Sequence, residues 1–279
     1  MATVLDAVVV GAGPNGLAAA ISLARAGRSV RVLEAGPTPG GGARSAALTL
    51  PGFVHDVCSA IHPLGAASPF FRQLPLADHG LEWVHPDSPL AHPLEEGRAA
   101  LLERSLEATA ASLGPDADTY VKWMRPMVRV FEDVVAQMAD PLRVPRHPFR
   151  LARFGLRALR SAHGLSTQAF KGPLARALFA GAAAHSFSPL ERPLTSAIGL
   201  VLLAAGHTVG WPFPRGGSQK LVDALVGYLR ALGGEVVTGH PVDTVEALPK
   251  ARAVLLDVTP AQLLKLAGHR FPEKYQEHL

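Results

Sequence analysis

The spacing of apolar positions changes period several times within the first forty residues. An apolar run at residues 7–10 passes directly into Gly11, Gly13 and Gly16. A helical pattern then occupies residues 17–26 and stops at Gly27, and a second apolar run at 30–33 ends on Glu34. This order predicts a strand, a tight glycine turn, a helix and a second strand in one short unit.

Further along, residues 48–71 mix apolar and polar positions among Pro51, Gly52, Pro63 and Gly65 and read as short strands and loops. Residues 81–113 suggest a small sheet with a polar turn at 95–97, followed by a helix opened by Ser105. Asp116 is placed to cap a helix over 117–138. One side of that helix carries Tyr120, Trp123, Met127, Val130, Phe131 and Val134, a stripe that reads first as core packing and second as the wall of a lipid-substrate site. From Phe149 the chain again reads as helix. Arg143, Arg146, Arg150, Arg153, Arg157 and Arg160 recur three or four positions apart, with Leu151, Leu156 and Leu159 on the other face. Such a helix is either a solvated surface element or a basic amphipathic helix on anionic lipid.

Residues 174–205 are helical and rich in small side chains, with a break at 186–193. Pro214, Gly216 and Gly217 form a loop, Ser218 is set to cap a helix over 219–232, and Gly233 and Gly234 end it. A strand at 235–238, an extended piece at 242–245, a buried strand at 253–257 and a helix at 261–267 return the chain to an α/β layer.

The opening unit has a chemical rationale. Gly11 permits the sharp turn, Gly13 lets backbone approach a pyrophosphate, and Gly16 lets the helix pack on the strand. The N–H groups and dipole of the helix start favour an anion. Glu34, at the tip of the second strand, is placed to accept hydrogen bonds from a ribose, and an acid there argues against a 2′-phosphate. The segment 36–45, GPTPGGGARS, adds a second glycine cluster that a simple NAD domain does not need. Gly41 and Gly42 would bring a second stretch of backbone to the cofactor, and Arg44 is available to pair with phosphate.

With these residues the stretch resembles the N-terminus of FAD-dependent amine oxidases and phytoene desaturases, in which the dinucleotide motif is followed by a Gly-Gly-x-Arg or Gly-Gly-Arg element. The continuation PGFVHDVCSAIHPLGAASPFF, residues 51–71, resembles bacterial phytoene-dehydrogenase-related oxidoreductases in particular. The resemblance implies FAD as cofactor and a candidate contact set of Gly11, Ala12, Gly13, Pro14, Asn15, Gly16, Glu34, Ala35, Gly41, Gly42, Arg44 and Val242, the last with its backbone near the adenine. It implies an α/β fold, a Rossmann-like FAD/NAD(P)-binding domain with an inserted, partly helical substrate domain. The domains expected are 1–75 and 206–279 for the cofactor and 76–205 for the substrate. The resemblance covers only the first part of the family's chain, so the C-terminal segment that covers the flavin is expected to be missing here.

The implied activity is FAD-dependent dehydrogenation or desaturation of an apolar small molecule. No nucleophile–base pair or paired carboxylates stand out, and no catalytic residue is named. Two rivals stay open: an amine-oxidase-like flavoenzyme, and a non-catalytic half-protein that binds a cofactor, a complementary polypeptide or its own copy.

Composition narrows the remaining classes. The 279 residues are 48% hydrophobic, which suits a sizeable core, and the formal charge of +4 carries no nucleic-acid motif with it. A lone cysteine, Cys58, excludes an internal disulfide and reads as buried filler in a reducing compartment. No signal peptide and no apolar run of spanning length is read, so the expected location is cytoplasmic, with peripheral membrane contact through Arg150, Arg153, Arg157 and Arg160 as the exception. His55, Asp56 and His62 lack metal-ligand spacing, and no metal is expected.

Overall fold

The structure is a computed structural model that describes residues 4–139 and 147–278; the side chains of Ala139 and Arg150 lie outside the described set, as do Arg143 and Arg146. The longer elements, in chain order, are β1 (Leu5–Val10), α1 (Pro14–Arg25), β2 (Val30–Leu33), β3 (Leu90–Pro93), β4 (Ala99–Leu102), α2 (Leu106–Ser112), α3 (Ala117–Ala139) and α4 (Pro148–Ala158). They continue with α5 (Ala162–Ala169), α6 (Pro173–Ala183), α7 (Thr195–Thr208), α8 (Gln219–Ala231), β5 (Glu235–Val237), β6 (Ala251–Leu256) and α9 (Pro260–Ala267). They divide between two compact units. One takes in the residues up to Ala60, Leu74–Trp83 and everything from Phe213 onward. The other takes in Ile61–Gln73 and Val84–Pro212.

The first unit is built on a parallel sheet in the order β6-β1-β2-β5. Residues 7–10 show no apolar–polar alternation because β1 lies inside the sheet with both faces covered. A continuous apolar run is what such a strand requires, and Ala7, Val8, Val9 and Val10 are all buried. Val10 stands opposite Leu33 on one side and Leu256 on the other, so the ends of three strands finish level. Helix α1 connects β1 to the parallel β2, buries Leu17, Ala20, Ile21 and Ala24, and packs on α8. Gly27, at φ +73°, makes the left-handed turn that returns the chain to β2.

The second unit is a helical body around one apolar core, with the β3–β4 hairpin against α6. The α3 stripe lies in that core: Tyr120, Met127, Val130, Phe131 and Val134 are buried, and Trp123 packs at its margin. The Tyr120 hydroxyl meets His207 Nε2 at 2.8 Å, and burial pushes the Tyr120 phenol above its ordinary range. Among the described residues no helix is long and apolar enough to cross a membrane.

Several local expectations change. Asp116 does not act as a simple cap. It sits in a 3₁₀ turn before α3, 1% exposed, and its carboxylate accepts from the Lys171 and Gly172 N–H groups at 2.8 and 2.6 Å, tying the α5–α6 loop down. Ser218 stands at the N-cap of α8 without capping it: its backbone is already helical, at φ −58° and ψ −28°, and its hydroxyl donates to Ser59 O at 2.6 Å. Residues 245–247 form a 3₁₀ turn opened by Thr244, so the extended piece expected at 242–245 overlaps it at its last residue. Cys58 is exposed rather than buried. The two faces of α4 are only partly as expected: Leu151 turns inward and Arg153 and Arg160 outward, but Arg157 turns inward with Phe154, while Leu156 and Leu159 face solvent. Periodicity located the helix but left its rotation to the packing around it.

Candidate functional site

Local chemistry places the glycine turn at the level strand ends. Gly11 adopts φ +102°, and its N–H donates to Leu33 O at 2.8 Å. Gly13 is the N-cap of α1 with no side-chain cap, and Pro14 is its first residue, where a missing N–H costs nothing. The N-cap residue of α1 therefore supplies no side chain of its own to the helix start.

Glu34 ties the two βα turns together. One carboxylate oxygen accepts from Ala12 N–H at 2.9 Å, the other from Gly36 N–H at 2.8 Å. The Glu34 backbone N–H donates to Val237 O at 2.8 Å, and its carbonyl accepts from His240 N–H at 2.9 Å. These bonds hold the β2 tip beside the loop that follows β5, and that loop carries Val242.

A cavity of about 520 Å³ opens along this edge. Gly11, Gly13, Pro14, Asn15, Glu34, Ala35, Gly41, Gly42 and Val242 all line it. Three residues of the candidate set do not. Ala12 is fully buried below the turn, Gly16 packs against the Gly11 carbonyl and Asp257, and the Arg44 guanidinium donates from Nε to Gly41 O at 2.8 Å. A Cβ built on Gly41, at φ +53°, would lie 3.3 Å from the Gly13 Cα. Two backbones from different loops thus approach each other as closely as glycines allow, and both border the cavity.

The sequence reading missed the other wall. His240, Pro241, Asp243, Asp257, Val258, Gln262, Lys265 and Leu266 also line the cavity. Five of these come from a second strand–turn–helix. Strand β6 pairs with β1, Asp257 N–H donates to Val10 O at 2.8 Å, and Thr259 and Gln262 form a reciprocal capping box at the start of α9. The Asp257 carboxylate accepts from Gly16 N–H at 2.7 Å, so an acid of the chain's own already stands at the α1 N-terminus. Lys265 also lines the cavity, the one lysine or arginine among its lining residues, and a lysine is a natural counter-charge for a phosphate. The available signal was Asp257 at the end of an apolar run; that this run neighbours β1 is a matter of strand order.

The residues considered for a metal have other partners. Asp56 Oδ1 accepts from the Ser45 hydroxyl at 2.6 Å and from Ser218 N–H at 2.7 Å, and His55 Nε2 contacts Thr49 Oγ1 at 2.6 Å.

Residues 9–74 match the family model of the NAD(P)-binding Rossmann-like domain. An uncharacterised protein of Mycobacterium tuberculosis and its counterpart in Mycobacterium bovis are each 28% identical over 302 residues; the match covers 94% of this chain. The chain spans about half the length, 56%, of these curated relatives. Among solved structures, an oxidoreductase from Methanosarcina mazei has a similar fold, with TM-score 0.63 at 16% identity over 98% of this chain and 63% of that one. Putrescine oxidase bound to putrescine is similar at TM-score 0.56 and 21% identity, covering 95% of this chain and 60% of that one. Cyclohexylamine oxidase from Brevibacterium oxydans is similar at TM-score 0.57 and 14% identity, covering 99% and 63%. The α/β architecture with its Rossmann-like parallel sheet is thus shared with these oxidoreductases, of whose chains this one spans about six-tenths.

Proposed function

We propose that this chain carries the ADP-binding half-site for FAD in an oxidoreductase of dehydrogenase or desaturase type acting on an apolar substrate. The observation that carries the reading is the convergence of the α1 N-terminus, Glu34, the Gly41–Gly42 backbone and Val242 on one cavity. In this reading the backbone at Gly13 and Asn15, with Lys265, holds the pyrophosphate. Glu34 accepts from the ribose hydroxyls; its two oxygens have about four acceptor sites, and the structure uses one on each. Val242 lies beside the adenine. An acid at the β2 tip favours a free 2′-hydroxyl over a 2′-phosphate. FAD, when bound, supplies the hydride acceptor. The contribution of this chain is to bind it, to neutralise its phosphates through the helix dipole and Lys265, and to hold the ribose through Glu34. No catalytic residue is assigned.

The putrescine and cyclohexylamine oxidases among the similar structures favour a second reading, oxidation of an amine, on the same cofactor half-site. Titrating the purified chain with FAD, ADP, NAD+ and NADP+ tests the half-site. FAD and ADP should bind, bound flavin should colour the protein, and NADP+ should bind more weakly than NAD+. Failure of both FAD and ADP to bind would overturn the reading and leave a non-catalytic, partner-binding role. Turnover of an apolar polyene against that of a primary amine, with an artificial electron acceptor, separates the two substrate classes.

A further inference from the structure

We propose that the outward face of α4, together with the loop at 187–194, docks the helical unit onto an anionic lipid surface. The inward face of α4 is fully engaged. Leu151 and Phe154 pack on the core, and Arg157 lies over the Trp123 ring at 4.2 Å while donating to Trp123 O at 3.1 Å. Arg157 therefore leaves the lipid-facing set in which the sequence had placed it. What remains outside is apolar and basic at once. Phe149, Leu156 and Leu159 are 90, 72 and 61% exposed, and Arg153 and Arg160 are exposed one turn from them. Positions 149, 153, 156 and 160 share one side of a helix.

The neighbouring loop extends the patch. Leu194 N–H donates to Leu159 O at 3.3 Å, and the Leu194 side chain is 57% exposed. Phe187, in the same loop, is 94% exposed. Both residues hold left-handed backbone, φ +71° and +51°, a conformation that bulky side chains rarely adopt. Beside Arg153, a hollow of about 190 Å³ is lined by Pro126, Met127, Val130 and Arg129, so two guanidinium-bearing residues border an apolar floor.

Charge selects lipid as the occupant. On α4 itself no acidic residue occurs, and Arg153 and Arg160 are exposed beside its outward apolar side chains; in the loop, Glu191 is followed directly by Arg192, so the face as a whole stays net basic. A protein partner would meet large apolar side chains among unbalanced cations, whereas an anionic leaflet offers phosphates for the arginines and hydrocarbon for Phe149, Leu156 and Leu159.

The test is co-sedimentation of the full chain with vesicles of phosphatidylcholine, with and without phosphatidylglycerol, at low and high salt. Binding should require phosphatidylglycerol and weaken with salt. Each arginine contributes roughly fivefold to partitioning on a charged leaflet, so R153Q/R160Q should lower it about 25-fold there. F149S/L156S/L159S should lower it by about a hundredfold or more, because the insertion of apolar area is lost. All five positions are solvent-facing, and circular dichroism melts should match the parent. Equal partitioning to both vesicle types, or unchanged binding by the apolar triple variant, would overturn the proposal. So would a dimer, seen by light scattering without vesicles, that the triple variant dissociates, since the face would then be a contact between copies.

Discussion

The three motif glycines are identical in type but not in what surrounds them, and alanine at each should give a different outcome. A Cβ on Gly16 would lie 2.2 Å from Gly11 O and 2.9 Å from Asp257 Oδ2. The first of these is backbone at the β1–α1 turn and cannot yield alone. Overpacking of this kind costs about 1–3 kcal/mol, and disturbing the charged Gly16–Asp257 hydrogen bond adds about 1.5 kcal/mol or more. Gly11→Ala meets Asp257 O at 2.4 Å and must also hold φ +102°, a further ~1–2 kcal/mol. Gly13 differs: its φ is −71°, and its Cβ would meet only the Asp257 carboxylate, at 3.2 Å. Losing a glycine from the unfolded chain stabilises by about 0.4–1 kcal/mol, which offsets the poorer N-cap. Gly13→Ala should therefore fold with a urea midpoint close to the parent's and yet bind FAD at least about tenfold more weakly, a loss of about 1.4 kcal/mol. Gly16→Ala and Gly11→Ala should lose ~3 kcal/mol or more of stability. Urea unfolding and FAD titration on the same preparations decide it. Parent-like stability of Gly16→Ala would refute the packing argument, and parent-like FAD binding by Gly13→Ala would refute the assignment of the cradle.

Other consequences are equally open to measurement. Asp257→Asn keeps an acceptor for Gly16 N–H but removes a negative charge from the phosphate cradle; it should bind ADP several-fold more tightly and lose about 0.5–1 kcal/mol of helix-dipole stabilisation, and weaker ADP binding in calorimetry would contradict this. Asp116→Ala leaves the Lys171 and Gly172 N–H groups without their buried acceptor and should cost about 2–4 kcal/mol in urea unfolding, whereas a surface-like change below ~0.5 kcal/mol would contradict the clamp. Burial, with His185 nearby, holds His92 below the ordinary imidazole pKa of 6.5, and burial does the same to His207. The unfolded chain therefore takes up protons first, so stability should be full above pH ~6.5 and decline as pH falls below it. A urea midpoint that rises on acidification from pH 7 to 5.5 would reverse that sign.

Much of the proposed half-site was legible because its physics is local. A glycine turn between an apolar strand and a helix, an acid at the tip of the next strand, and a second pair of glycines are requirements written within forty-five consecutive residues. Eight of the twelve candidate residues reach the cavity for that reason; a ninth, Val242, arrives with the loop after β5. The α3 stripe was readable as core for a similar reason, since burial on one side of a helix imposes its own period.

What tertiary structure alone decided involves partners distant in sequence. Strand order brings β6 beside β1, and so sets the Asp257 carboxylate on Gly16 N–H across 241 positions of chain. Asp116 and Ser218 carry capping side chains, but the N–H groups at Lys171 and Gly172, and the Ser59 carbonyl, recruit them elsewhere. The rotation of α4 follows the same rule. Its sequence offers apolar residues on more than one side, and the core accepts Leu151 and Phe154 while Arg157 finds Trp123, which leaves Phe149, Leu156 and Leu159 to solvent. A one-dimensional pattern states which side chains prefer burial; the finite area of the neighbouring surface decides which of them obtain it.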